Sequence, residues 1–103
     1  MRKCKIIFRN SKIYYNLIID EEKNMCSFNN IIKEININSL LEKIENIIIN
    51  WQPAITNGVV LDGNTLEVNY QDSNDELSQL KFNSLSMPSN AIELYKILES
   101  LNG

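Results

Sequence analysis

Histidine is absent from the 103 residues. That one absence removes the commonest general base, the commonest zinc ligand and every Ser–His or Cys–His nucleophile. Glycine is almost as scarce, and Gly58, Gly63 and Gly103 stand alone. No Gly-Lys-Ser/Thr follows any of them, so the phosphate-cradling loop of a nucleotide hydrolase is missing. With only two prolines as well, the chain has no long flexible linker. The apolar run Ile6-Ile7-Phe8 is broken at Arg9, which leaves no signal-peptide core. No stretch approaches the ~20 apolar residues of a membrane helix. These absences set the expectation of a cytoplasmic, non-enzymatic protein without cofactor, metal or membrane partner.

Cys4 and Cys26 are the only cysteines, and both lie on alternating, strand-like segments. There a small thiol packs as a hydrophobe, so reduced core thiols are expected. The charge balance is acidic, at −3, which disfavours a general nucleic-acid binder. The positive charges gather near the start, in Arg2, Lys3, Lys5, Arg9 and Lys12. A basic hairpin edge guarded against stray pairing is the expected explanation, with RNA contact the residual alternative.

What is present reads as one globular domain, 1–103. Its composition, 44% hydrophobic and 22% charged, is too apolar for a disordered chain. Cys4, Ile6 and Phe8 alternate with Lys5 and Ile7, the period of a half-buried strand. Ile13, Tyr15, Leu17 and Ile19 mark a second strand, and Met25 to Phe28 a third. Asn29 to Ile37 fits either a strand extension or a connector. Ser39 with Glu42 three residues on reads as a capping box. Leu40, Leu41, Ile44, Ile47, Ile48 and Trp51 then recur every three or four residues, an apolar helix face stopped by Pro53.

Val59 to Leu61 lead into Asp62-Gly63-Asn64, a tight-turn sequence, and Leu66, Val68 and Tyr70 alternate beyond it. Leu77 to Phe82 reads as another strand. Pro88-Ser89-Asn90 opens a second helix with the apolar stripe Ala91, Leu94, Tyr95, Leu98 and Leu101. The expected fold is α+β: a two-layer sandwich of a mostly antiparallel sheet of five or six strands with two helices, ordered roughly βββα-βββ-α.

The segment Leu61-Asp62-Gly63-Asn64-Thr65-Leu66-Glu67-Val68, then Phe82 and Pro88-Ser89-Asn90, resembles the hairpin-then-helix ending of small bacterial proteins. Among these are immunity proteins of polymorphic-toxin and contact-dependent growth inhibition systems. The 16 isoleucines also resemble the AT-biased coding of such genes. The resemblance covers about the last 40 residues. It implies a small acidic cytoplasmic antidote that binds a cognate protein toxin, such as a basic nuclease. Candidate partner-binding residues are then Tyr14, Asp20, Glu21 and Glu22 in the first half and Asp72, Asp75 and Glu76 in the second. The alternative is a small-ligand-binding or regulatory domain without catalytic activity.

Overall fold

The computed structural model describes residues 1–52 and 63–102. Four strands come first: β1 (Lys3–Arg9), β2 (Tyr14–Asp20), β3 (Met25–Phe28) and β4 (Ile31–Ile32). Helix α1 (Ile37–Ile48) follows, then β5 (Thr65–Gln71), β6 (Leu77–Phe82) and helix α2 (Ala91–Leu101). The strands form a single antiparallel sheet in the order β4-β3-β2-β1-β5-β6. The expected α+β architecture, six strands and two helices, is therefore the observed one. Four strands precede α1, and two described strands lie between the helices.

Period-2 alternation becomes cross-strand rows. One row runs Tyr70–Cys4–Ile19–Cys26, the next Leu80–Val68–Ile6–Leu17–Phe28, and the third Phe82–Leu66–Phe8–Tyr15. All of these side chains are buried, and they form one core cluster with Leu40, Leu41, Ile44 and Ile48 of α1 and Ala91, Leu94 and Leu98 of α2. Ile6, Leu17, Leu41, Ile44, Leu94 and Leu98 are fully enclosed. Burying each contributes about 1.5 to 3 kcal/mol. The helices cover this face of the sheet. The opposite face carries the alternate rows, in which Lys3, Lys5, Ile7 and Arg9 of β1 are exposed or half-buried.

Asparagine and aspartate make the turns. Asn29 and Asn30 both have positive φ, 48° and 67°, between the paired residues Phe28 and Ile31. That is the two-residue hairpin turn whose twist suits antiparallel strands, and Asn tolerates its left-handed geometry. The Asn29 side chain also accepts from Asn16 N at 2.8 Å and donates to Tyr14 O at 3.1 Å, continuing the edge of β2. The segment from Asn29 to Ile37 is thus a hairpin, a two-residue strand and a short connector.

The N-cap of helix α1 lies three residues before the expected Ser39. Asn36 is its N-cap, its Oδ1 accepting from Ser39 N at 3.0 Å. Asn serves as well as Ser at this position, and Ile37 becomes buried on the first turn. The helix ends at Ile48, so Trp51 packs from the segment beyond it, edge-on to Phe82 at 5.5 Å. Its indole N–H donates to Asn90 Oδ1 at 2.7 Å, while Asn90 Nδ2 donates to Ile47 O at 2.9 Å. One asparagine at the start of α2 thereby ties down the end of α1. Pro53 and the expected strand Val59 to Leu61, with Asp62 of its turn, lie outside the described residues. On the sheet, both edges of β5 are occupied, by β1 and β6.

Candidate functional site

Lys3 of β1 pairs with Asp20 of β2 on one side and with Gln71 of β5 on the other. The two acidic turns, one after Asp20 and one after Gln71, consequently emerge at the same end of the sheet and flank the start of β1. Five of the six acidic candidates lie within these turns and the sixth, Asp20, closes β2. Tyr14 does not join them. It pairs with Arg9 at the opposite end of β1, ~20 Å away at strand rise, where it is exposed.

In the first turn the charge is committed to the fold. Asp20 is buried, and its Oδ1 accepts from Lys23 N at 3.2 Å to close the turn. Glu21 receives Arg2 at three points: backbone N to Oε1 at 2.9 Å, Nη2 to Oε2 at 2.8 Å and Nε to Oε2 at 3.2 Å. Those hydrogen bonds hold the Glu21 carboxyl down at about 2. Only Glu22 of the three acids is exposed.

The second turn is built from its own backbone. Asp72 Oδ1 accepts from Asn74 N at 2.8 Å and from Glu76 N at 3.0 Å, an Asx arrangement that nucleates a tight loop. Asp75 takes a left-handed φ of 63°. It accepts from Gln71 Nε2 at 3.0 Å and from the Met1 amino group at 3.3 Å. The Gln71 contact, then the amino group, lowers its carboxyl pKa. Asp75 and Glu76 are both exposed.

Arg2, Glu45 and Tyr70 are not among the candidate partner-binding residues, yet they join the sheet to α1. Beyond Glu21, Arg2 reaches Glu45 Oε1 at 3.2 Å and Asn38 Oδ1 at 3.0 Å. The Tyr70 hydroxyl donates to the same Glu45 oxygen. Burial first, and the Glu45 carboxylate second, raise the Tyr70 phenol above its ordinary range, so it remains a proton donor. The available signal was that a lone Arg precedes the first strand while a Glu stands on the helix face beside Ile44 and Ile48.

Next to this network lies a cleft of about 570 Å³ between α1 and the β5–β6 turn. Ile48, Ile49, Trp51, Leu77 and Leu80 supply apolar wall, and Glu45, Tyr70 and Asp72 supply oxygen atoms. Among the described residues, no three Cys, Asp or Glu side chains are grouped to hold a metal ion. Cys4 and Cys26 are buried free thiols, separated in their row by Ile19. Two strand spacings, ~9.6 Å, are too far for a disulfide. Burial raises both thiol pKa values, which leaves them poor nucleophiles.

The explanation of the N-terminal cations as guards of an edge strand does not survive the topology. β1 lies between β2 and β5, in the interior of the sheet. Lys3, Lys5 and Arg9 instead line the middle of the uncovered face, and among the described residues none forms a salt bridge. The edges are β4 and β6. No described helix is long and apolar enough to cross a membrane. Comparison with protein families, with curated proteins and with solved structures finds no match.

Proposed function

We propose that this protein is a protein-binding module of the immunity type, a cytoplasmic antidote that docks a basic toxin on the acidic end of its sheet. The observation that carries this reading is the convergence of two acidic turns, far apart in sequence, on either side of the start of β1. Glu22, Asp75 and Glu76 project into solvent there. Asp20, Glu21, Glu22, Asp72, Asp75 and Glu76 outnumber the cations Met1, Arg2, Lys3 and Lys23 at this end, and a net negative patch steers an oppositely charged partner and raises the rate of encounter. Asp20 and Glu21 hold the turn and take no direct part. Tyr14, at the other end, falls outside a contact surface centred on the turns.

The test is the association rate with the toxin encoded beside the gene. It should fall as salt rises, because the steering field is screened over ~8 to 10 Å at physiological ionic strength. The double reversal Glu22→Lys with Glu76→Lys should slow association about tenfold or more with the melting temperature nearly unchanged. Unaltered association would remove the acidic end from the interface, and absence of any complex would overturn the toxin reading.

A second reading has its own support. The cleft beside α1 has the few-hundred-Å³ volume of small-molecule sites, with apolar walls and a few convergent polar groups. A small-ligand-binding or regulatory domain would use that cleft and leave the turns idle.

A further inference from the structure

We infer that the cleft between α1 and the β5–β6 turn is a cation-anchoring site that takes the side chain of a lysine or arginine from the partner protein. This rests on the reading of the partner as a basic protein. It adds to that reading the place where a single residue would be held, instead of only a field that draws the partner in.

The lining itself selects the charge. Among the described residues, no lysine or arginine lines the cleft, whereas Glu45 and Asp72 both do. The nearby Arg2 does not cancel them, because its guanidinium is shared and lies nearer Glu21, at 2.8 Å, than Glu45, at 3.2 Å. Two carboxylates, Glu21 and Glu45, thus share one fixed cation, and Asp72 makes no salt bridge among the described residues. Among the described residues, Glu45 uses only Oε1, for Arg2 and Tyr70, and Asp72 uses only Oδ1, for its own turn. Each keeps a second oxygen with acceptor capacity. The Glu45 side chain is 38% exposed, so an incoming group can reach it.

The remaining wall suits the stem of such a side chain. Ile48, Ile49, Leu77 and Leu80 offer apolar contact to methylene groups, as lysine and arginine stems require when their heads are bound. Trp51 also lines the cleft, and indole is the aromatic ring most attractive to a cation. The indole is fixed in place by its N–H bond to Asn90 and by edge contact with Phe82. Asp72 and Ser73 belong both to the cleft and to the acidic turn. The anchor is therefore continuous with the surface proposed to meet the partner.

Trp51 is the only tryptophan, so its fluorescence reports on the cleft directly. The full chain is titrated with Nα-acetylarginine amide, with its neutral isostere Nα-acetylcitrulline amide, and with agmatine, a free guanidinium amine. The expected result is a saturable change with acetylarginine amide at about 10 mM or below, and at least tenfold weaker binding of the citrulline compound. Glu45→Gln should weaken the arginine probe about tenfold, and Asp72→Asn at least threefold. Both replacements retain a carbonyl acceptor for the internal bonds, and the half-buried turn position keeps the test informative if the helix variant folds poorly.

Equal binding of both amides, or no saturable response, would overturn the inference. Agmatine bound tenfold more tightly than the amide would also overturn it, assigning the cleft to a free small cation. Loss of the response with toxin binding intact would retire the anchor alone. A cation-selective response in a protein that binds no toxin would uphold the cleft's charge selection and retire the toxin reading.

Discussion

The turn after β2 and the turn after β5 each bring three carboxylates within five residues, and they use them in opposite ways. Around the first, Asp20 is buried and closes the turn while Glu21 is gripped by Arg2, which also reaches α1, so two of three charges are committed to the fold. Around the second, the side chain of Asp72 satisfies backbone N–H groups, Asp75 stays exposed while accepting from Gln71 and the Met1 amino group, and Glu76 remains in water. Equal local charge is no guide to equal availability. What separates the turns is the presence of a guanidinium with access to one of them and of α1 on the far side of that guanidinium.

The largest effect that would sharpen this contrast is the loss of Arg2. Arg2→Ala removes donors to Glu21, Glu45 and Asn38 at once, and should cost about 2 to 3 kcal/mol in denaturant unfolding. A loss no larger than that of a surface substitution would mean that the first turn is no better tied than the second.

Acid titration separates the turns next. Glu21 is held at about 2 against an ordinary value of 4.5, chiefly by Arg2 side-chain hydrogen bonds. A carboxyl depressed in the folded state stabilises that state fully above its unfolded value. This contribution is lost as pH falls from about 4.5 to about 2. Melting temperature followed over that range should drop in the wild type and less in Glu21→Gln, whose side chain does not titrate. Identical slopes in the two proteins would break the assignment.

Smaller changes are expected at the second turn. Asp72→Ala leaves two backbone N–H groups to water and should cost about 1 kcal/mol. Asp75→Gly relieves a left-handed φ but adds freedom to the unfolded chain, and Glu76→Lys alters only an exposed charge. Each should change stability by less than about 0.5 kcal/mol in the same unfolding assay.

Much of the fold was legible because its signals are local. Alternation in Cys4 to Phe8 and Thr65 to Tyr70, and helical spacing in Ile44, Ile48, Leu94 and Leu98, directly reflect which side chains face the core. Local signals failed where two solutions were chemically equivalent. Asn36 and Ser39 are both good N-caps, and only the burial of Ile37 decides between them. Asn29-Asn30 carried the hairpin signal, but Asn also serves in loops of many kinds.

The candidate site was less legible because it is made by strand order. Nothing within Lys3 to Arg9 says that β1 is central, so neither the meeting of the two turns nor the uncovered cationic row could be read from it. Glu45 shows the same limit: on the helix wheel it borders the apolar stripe, and only tertiary packing brings Tyr70 and Arg2 to its carboxylate.

The central claim is that one end of the sheet recognises a basic partner. Its most direct measurement is amide hydrogen exchange of the protein free and in complex with the basic toxin proposed as its partner. The account predicts slowed exchange in residues 21–24 and 72–76, with no change in the turn from Asn10 to Ile13 or around Tyr14. Protection confined to Tyr14 and that far turn, with the acidic turns exchanging as in the free protein, would contradict it.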